Sequence, residues 1–244
     1  IAQAQRESGV NYSAEQSQAI REAAGSGLLL ITGGPGTGKT TLLNGILNLY
    51  GNMQLKCLVA APTGRAAKRM SEVTGEEAST IHRLLEAGID QNTGKMYFAK
   101  DEDNPLKADA IIVDEMSMVD IQLLYHLLKA IPKGKRLILV GDPDQLPPVG
   151  PGFPFSDMLR SKELPMARLT EIFRQAQQSL IVMNAHRINH GGASGAAQRE
   201  KRLLFYAQKH RAGPDQSDPG PVYHPASQEY GHPTGADPGP VSYA

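Results

Sequence analysis

The chain has 244 residues, enough for one large or two small domains, and its 25 basic and 25 acidic side chains leave a formal net charge of zero. That balance excludes a bulk electrostatic attraction to nucleic acid, so a nucleic-acid surface has to come from local clusters. The single cysteine, Cys57, excludes an internal disulfide framework and fits a reducing cytoplasm.

Cys57 sits in the apolar run "LKCLVAA", which suits a small core residue better than a reactive thiol. No apolar stretch approaches the ~18 residues of a membrane span. The opening residues "IAQAQRESGV" carry no apolar signal-peptide core, and a start at Ile1 without methionine suggests a fragment or a processed product.

In chain order, "SAEQSQAIREAA" opens on a serine suited to N-capping and predicts a helix over 13–24. Short, continuously apolar runs follow at 28–32, 55–61, 110–114 and 136–140. Helical patterns separate them: one from 39, then 64–72, 79–87 and 119–131. Strands that are apolar throughout and alternate with helices predict an α/β fold, a doubly wound parallel sheet with helices on both faces. The polar stretch 88–109 reads as a surface loop or short hairpin. "FPFSDML" (153–159) reads as a turn and helix that pack on the core, with Phe153 a candidate for stacking on a base.

The pattern changes near residue 206. Between Arg211 and Ala244 there is no Leu, Ile, Met or Phe, while 12 of those 34 residues are Pro or Gly. Such a segment buries too little apolar surface to offset its ordering entropy. "DPGPV" occurs twice, too few copies for a solenoid. The expected organisation is one folded lobe over 1–200 and an extended tail or linker over 201–244, the sharper alternative for the tail being a docking peptide.

Chemistry first shows in "GGPGTGKTT" (33–41), which holds G-x-x-x-x-G-K-T as Gly33, Gly38, Lys39 and Thr40. Glycines let backbone N–H groups turn toward phosphates at a helix N-terminus, a lysine reaches the β- and γ-phosphates, and a threonine hydroxyl ligates Mg²⁺. The motif follows a strand and opens a helix, as that mechanism requires; an incidental glycine loop would not need this context. The whole loop, Gly33, Gly34, Pro35, Gly36, Thr37, Gly38, Lys39, Thr40 and Thr41, is the expected cradle for ATP. In "IIVDEMS", Asp114 leaves an apolar strand where it can hold Mg²⁺, and Glu115 is placed as general base for an attacking water. The plainer reading is a pair of carboxylates capping the next helix.

"LVGDPDQLPPVG" (139–150) places Gln145 just beyond a further strand, within reach of a γ-phosphate, and its prolines stiffen the exit. This has the form of a nucleotide-state sensor. A kinase or GTPase is disfavoured, since no acceptor lid and no N-K-x-D guanine reader is evident.

Together the motifs resemble superfamily 1 DNA helicases of the RecD-like group, which includes the exodeoxyribonuclease V alpha subunit. "YSAEQ" resembles the glutamine motif, "GGPGTGKTT" motif I, "APTGRAAKRM" motif Ia, "STIHRLL" the motif Ib region, "VDEMS" motif II, "GDPDQLPPVG" motif III and "LTEIFRQ" motif IV. The resemblance runs from about residue 10 to 192 and implies the first, RecA-like P-loop motor domain of a 5′→3′ translocase on single-stranded DNA. Carried over to this chain, Gln16 reads adenine, Lys39 and Thr40 hold phosphate and Mg²⁺, Asp114 and Glu115 serve metal and base, Gln145 senses the γ-phosphate and Arg174 is the arginine finger. Pro62, Thr63, Gly64, Arg65 and His82 lie along the DNA. "PTGRAAKR" supports that, with three cations and backbone donors at a loop–helix start; Lys68 and Arg69 have a solvated helix face as their plainer reading.

Nothing after Arg174 resembles motifs V and VI, so this chain is expected to hold one of two lobes, with nucleotide binding but weak hydrolysis and no unwinding. The implied partners are a second motor domain or the subunits of a nuclease complex. The alternative is a nucleotide-dependent DNA-binding or regulatory subunit without motor activity. His186 and His190, at i and i+4, have a metal-compatible spacing but no third ligand in the sequence; exposed helix-end histidines are the plainer reading.

Overall fold

A computed structural model describes residues 10–173, 179–189 and 191. Its centre is a six-stranded parallel sheet in the order β3-β2-β6-β7-β1-β8. The inner strands are β1 (Leu28–Gly33), β2 (Cys57–Ala61), β6 (Ala110–Val113) and β7 (Arg136–Gly141), which are the four apolar runs of the sequence. The α/β architecture and the parallel sheet are as expected.

Alternation along these strands splits the core in two. On β7, Ile138 and Val140 join one apolar cluster while Leu137 and Leu139 join the other; on β1, Leu29 and Ile31 oppose Leu30. The first cluster is covered by α1 (Ala14–Gly25), α2 (Lys39–Asn52) and Met70 of α3 (Gly64–Thr74). The second is covered by Ile81 of α4 (Ile81–Leu84), by α5 (Ile121–Ala130) and by Phe155 of α6 (Pro154–Ser161). Each fully buried Leu or Ile contributes roughly 1.5–3 kcal/mol, so it is this two-sided burial, rather than helix propensity, that holds the layers together.

Two strands were not legible in the sequence. β3 (Ala78–Thr80) pairs with β2, and β8 (Met166–Leu169) pairs with β1, one at each edge of the sheet. The helix expected over 79–87 is therefore corrected: Ser79 and Thr80 belong to β3, a single helical turn follows, and Ala87–Ile89 forms strand β4. Thr80 makes the switch, because its hydroxyl caps α4 by accepting from Arg83 N at 3.1 Å. β4 pairs antiparallel with β5 (Met96–Phe98), so the polar insertion is a hairpin.

Helix starts follow their sequence signals. Ser13 and Gln16 form a capping box, Ser13 Oγ accepting from Gln16 N at 3.2 Å and Gln16 Oε1 from Ser13 N at 3.0 Å. Asp120 caps α5 through Leu123 N at 2.8 Å. Cys57 is half-buried at the start of β2, and burial pushes its thiol up to about 12, consistent with an inert core position. Among the described residues no helix is long and apolar enough to cross a membrane.

Candidate functional site: a phosphate cradle at the sheet edge

In a parallel sheet all strand C-termini lie on one edge, and the loops leaving them can meet. Here β1 delivers Gly33–Gly38, β6 delivers Asp114 and Glu115, and β7 delivers Asp142–Gln145. Neighbouring registers such as Thr32↔Gly141 align the first and third of these loops.

The β1 loop turns into α2 through Gly38, which sits at φ +77° as the helix N-cap without a side-chain hydrogen bond. The first N–H groups of α2 therefore have no internal acceptor, and with the helix dipole they form an anion site. The turn leaves no room for a side chain: a Cβ on Gly38 would lie 2.5 Å from Gln16 Nε2 and 2.6 Å from Phe173 Cε2. Thr37 Oγ1 closes the loop by donating to Gly34 O at 2.8 Å. Lys39 folds its ammonium inward, donating to the carbonyls of Gly33 and Gly34. Those contacts hold the cation against the loop.

Asp114 leaves β6 with its N–H on Ala60 O at 3.0 Å, and its Oδ1 accepts from Glu115 N at 2.9 Å. Burial pushes the Asp114 carboxyl up to about 6; the Glu115 N–H opposes this, the Glu115 charge adds to it, and the Lys39 and Arg69 cations oppose it. Glu115 itself is held at φ 55°, in the left-handed region that a non-glycine residue rarely adopts.

Gln145 stands at the end of a tight turn in which Asp142 Oδ1 accepts from Asp144 N and Asp142 O accepts from Gln145 N, both at 3.1 Å. Its Oε1 receives a hydrogen bond from Ser117 Oγ at 3.4 Å. Ser117 thus links the carboxylate loop to the glutamine, a role with no separate sequence signal beyond its place in "DEMS".

One cavity of about 870 Å³ collects the expected residues: Gly34, Pro35, Gly36, Thr37, Gly38, Lys39, Thr40, Thr41, Asp114, Glu115 and Gln145 all line it. Gly33 lies behind the loop, on an adjoining cavity of about 530 Å³. Thr40 and Asp114 bring a hydroxyl and a carboxylate to the main cavity, hard oxygen donors of the kind Mg²⁺ takes alongside phosphate oxygens and waters.

Several residues depart from their expected setting. Gln16 is fully buried: its Nε2 donates to Gly38 O at 3.1 Å, and its Oε1 serves the capping box. It therefore ties α1 to the phosphate loop from behind, while Val10, Asn11 and Phe173 line the cavity beside that loop. Lys68 and Arg69, treated alike in the sequence, separate. Both are exposed, but Lys68 lies 3.9 Å from Glu72, whereas Arg69 lines the same cavity as the loop. His186 is not a bare helix-end histidine, because its Nε2 donates to Pro35 O at 2.9 Å. No cluster of three metal-ligating side chains occurs among the described residues. Arg174, His190 and the tail lie outside them.

The DNA-facing candidates gather at a separate part of the same edge. The register Ala61↔Thr80 sets Pro62, at the head of the loop that carries Thr63, Gly64 and Arg65, beside the start of α4, the turn that carries His82. Thr63 caps α3 by accepting from Ala66 N at 3.2 Å, while Gly64 and Arg65 are exposed. The His82 ring lies 5.9 Å from Phe98 of the hairpin, and Phe98 lies 4.5 Å from His126.

A parallel sheet, a glycine loop opening a helix, and paired carboxylates on the neighbouring strand define a P-loop nucleoside triphosphatase fold. The chain belongs to the AAA domain family, whose model matches residues 16–151. It is 42% identical over 191 residues to the ATP-dependent RecD2 DNA helicase of Deinococcus radiodurans, covering 78% of this chain and 25% of that protein. It is 38% identical over 168 residues to the RecBCD enzyme subunit RecD of Mycolicibacterium smegmatis, covering 59% of this chain and 30% of that one. The chain thus spans between a quarter and a third of the length of these relatives. Among solved structures, the Pif1 helicase of Candida albicans aligns with a TM-score of 0.57 at 26% identity, over 78% of this chain and 47% of that one. Bacteroides Pif1 bound to ssDNA aligns at 0.53 and 22% identity over 77% and 48%, which shows the shared fold alone. The RecD-like superfamily 1 resemblance of the motifs is borne out by these relatives, and the chain carries a helicase-type motor domain.

Proposed function

We propose that this domain binds ATP with Mg²⁺ and hydrolyses it to drive movement along single-stranded DNA. The observation that carries the proposal is the convergence of Lys39, Asp114, Glu115 and Gln145 on one cavity at the N-terminus of α2. Lys39 exchanges the Gly33 and Gly34 carbonyls for the β- and γ-phosphates, helped by the N–H groups of the loop. Asp114 and Thr40 hold Mg²⁺, which when bound neutralises charge that builds on the phosphate oxygens. Glu115, placed by its left-handed backbone, takes the proton from the attacking water. Gln145 contacts the γ-phosphate or that water and passes its presence, through the proline-stiffened loop, toward the surface. Arg174 adds a cation as the phosphoryl group transfers.

The adenine is read along Val10, Asn11 and Phe173, with Gln16 fixing the loop from behind through Gly38. Single-stranded DNA runs over Pro62, Thr63, Gly64, Arg65 and His82, with Arg65 on a phosphate and the loop N–H groups at the start of α3 beside it. The 5′→3′ direction, the second motor domain and the nuclease-complex partners rest on the similarity to RecD proteins, and the cytoplasm is the compartment that fits them. The tail over 201–244 serves as a linker.

The test is binding of a fluorescent, non-hydrolysable ATP analogue with and without oligo-dT. The chain is expected to bind the analogue and to hold oligo-dT with a different affinity in its presence. Gln145→Ala should still bind nucleotide, with ADP affinity unchanged and ATP-analogue affinity lowered no more than about tenfold, and lose that coupling. Unchanged coupling in Gln145→Ala removes the sensor role, and DNA affinity indifferent to nucleotide in the unaltered chain removes the motor reading.

A further inference from the structure

The helix α7 (Leu180–Asn189) touches both loops of the nucleotide site without belonging to any of the motifs that form it. His186 Nε2 donates to Pro35 O, in the middle of the phosphate loop, at 2.9 Å. Its ring packs close to that loop, since a Cβ added to Gly34 would come within 2.8 Å of His186 Cε1. Three residues on, and so on the same helix face, Asn189 Nδ2 donates to Asp144 Oδ2 at 2.7 Å. Asp144 immediately precedes Gln145, in the turn whose N–H groups are held by Asp142.

We propose that α7 is a brace setting Gln145 at a fixed distance from the phosphate loop, with His186 and Asn189 as positioning residues for recognition of the γ-phosphate. The inference rests on the reading of this cavity as an ATP site and deepens it. The two loops leave adjacent strands, β1 and β7, and face the same cavities; the described helix that bonds to both is α7. One leg of the brace, at Pro35, bears on the loop that both ATP and ADP would use. The other leg, at Asp144, bears on the residue that only a γ-phosphate reaches. Asn189 is therefore the discriminating position, and its loss should act on ATP more than on ADP.

The experiment is titration of the full chain, with Mg²⁺, against fluorescent ATP and ADP analogues. Asn189→Ala is expected to lower the ATP-over-ADP affinity ratio about three- to tenfold, as fits loss of one partly solvated hydrogen bond to a carboxylate, with ADP affinity unchanged. Asp144→Ala should do the same, and the double variant should be no worse than either single one, because both remove one bond. Asp144→Asn keeps an acceptor for the Asn189 amide and should restore the ratio, which a general loss of folding would not do. His186→Ala should weaken both nucleotides alike. An unchanged ratio in Asn189→Ala, or additive effects of Asn189→Ala and Asp144→Ala, overturns the brace while leaving the ATP site standing. An unaltered chain that binds neither nucleotide, or binds both equally, overturns the reading of the cavity or of Gln145, and the brace with it.

Discussion

Asp114 and Glu115 are locked together: the Glu115 N–H lies 2.9 Å from Asp114 Oδ1, and Glu115 takes φ 55° to reach the same cavity as its neighbour. Two adjacent carboxylates face one space, and the fold accepts both the burial of one and the strained backbone of the other. Such an arrangement stores a cost that a bound cation relieves.

That cost should be visible as a pH dependence. Asp114 is raised from 3.8 to about 6, chiefly by burial, so the folded state prefers its neutral form. The contribution is present in full below pH ~4 and is lost as pH rises through about 6. Without Mg²⁺ and nucleotide, denaturant unfolding should show stability falling over that window by on the order of 2–3 kcal/mol. Asp114→Asn should flatten the curve and leave the chain more stable at pH 7 than the unaltered one. A slope retained in Asp114→Asn would place the titrating group elsewhere.

Gly38→Ala should separate binding from folding. The new Cβ meets Gln16 Nε2 at 2.5 Å and Phe173 Cε2 at 2.6 Å, at a φ of +77°. The left-handed backbone alone costs an alanine roughly 1–2 kcal/mol, and the clash pushes the buried Gln16 off Gly38 O. We expect a thermal transition lowered by several degrees and nucleotide affinity reduced at least tenfold in analogue titrations. Gly75, also at a positive φ but with open space at its Cβ, should on substitution show the strain without the loss of binding.

Lys68 and Arg69 give a paired comparison. Arg69 lines the cavity and its charge opposes the rise of the Asp114 carboxyl, whereas Lys68 points to solvent beside Glu72. Arg69→Ala should weaken ATP-analogue binding several-fold. Lys68→Ala should change neither that affinity nor stability by more than about 0.5 kcal/mol. Calorimetric titration of both variants decides it, and equal effects would return both residues to a solvated face.

Arg65 tests the DNA edge independently of the nucleotide. It is exposed at the start of α3, just after the loop that leaves β2. Arg65→Ala should lower oligo-dT affinity at low salt and reduce the slope of log K against log salt by about one phosphate contact, near 0.7 for a single strand. Nucleotide affinity without DNA should not move. An unchanged salt slope would take Arg65 off the DNA path.

Local signals carried much of this molecule. Four continuously apolar runs predicted the four inner strands, because burial on both faces leaves no polar period to confuse them. Gly33–Thr41 and Asp114–Glu115 were legible because their chemistry demands fixed residue types at fixed spacing. The edge strands escaped notice: three or four residues, half-exposed, have neither a long apolar run nor a helical period, and β3 hid inside a helix-like pattern until its pairing with β2 set its state.

The sequence by itself determined the class of sheet, the phosphate loop and the carboxylate pair, since each depends on neighbours a few residues away. The tertiary structure decided what those neighbours cannot. It turned Gln16 into a buried tie to Gly38, separated Arg69 from Lys68, set Ser117 on Gln145, and brought His186 and Asn189 back across some 150 and 45 residues to Pro35 and Asp144. Such contacts depend on where strand ends converge in space, and convergence is a property of the assembled sheet.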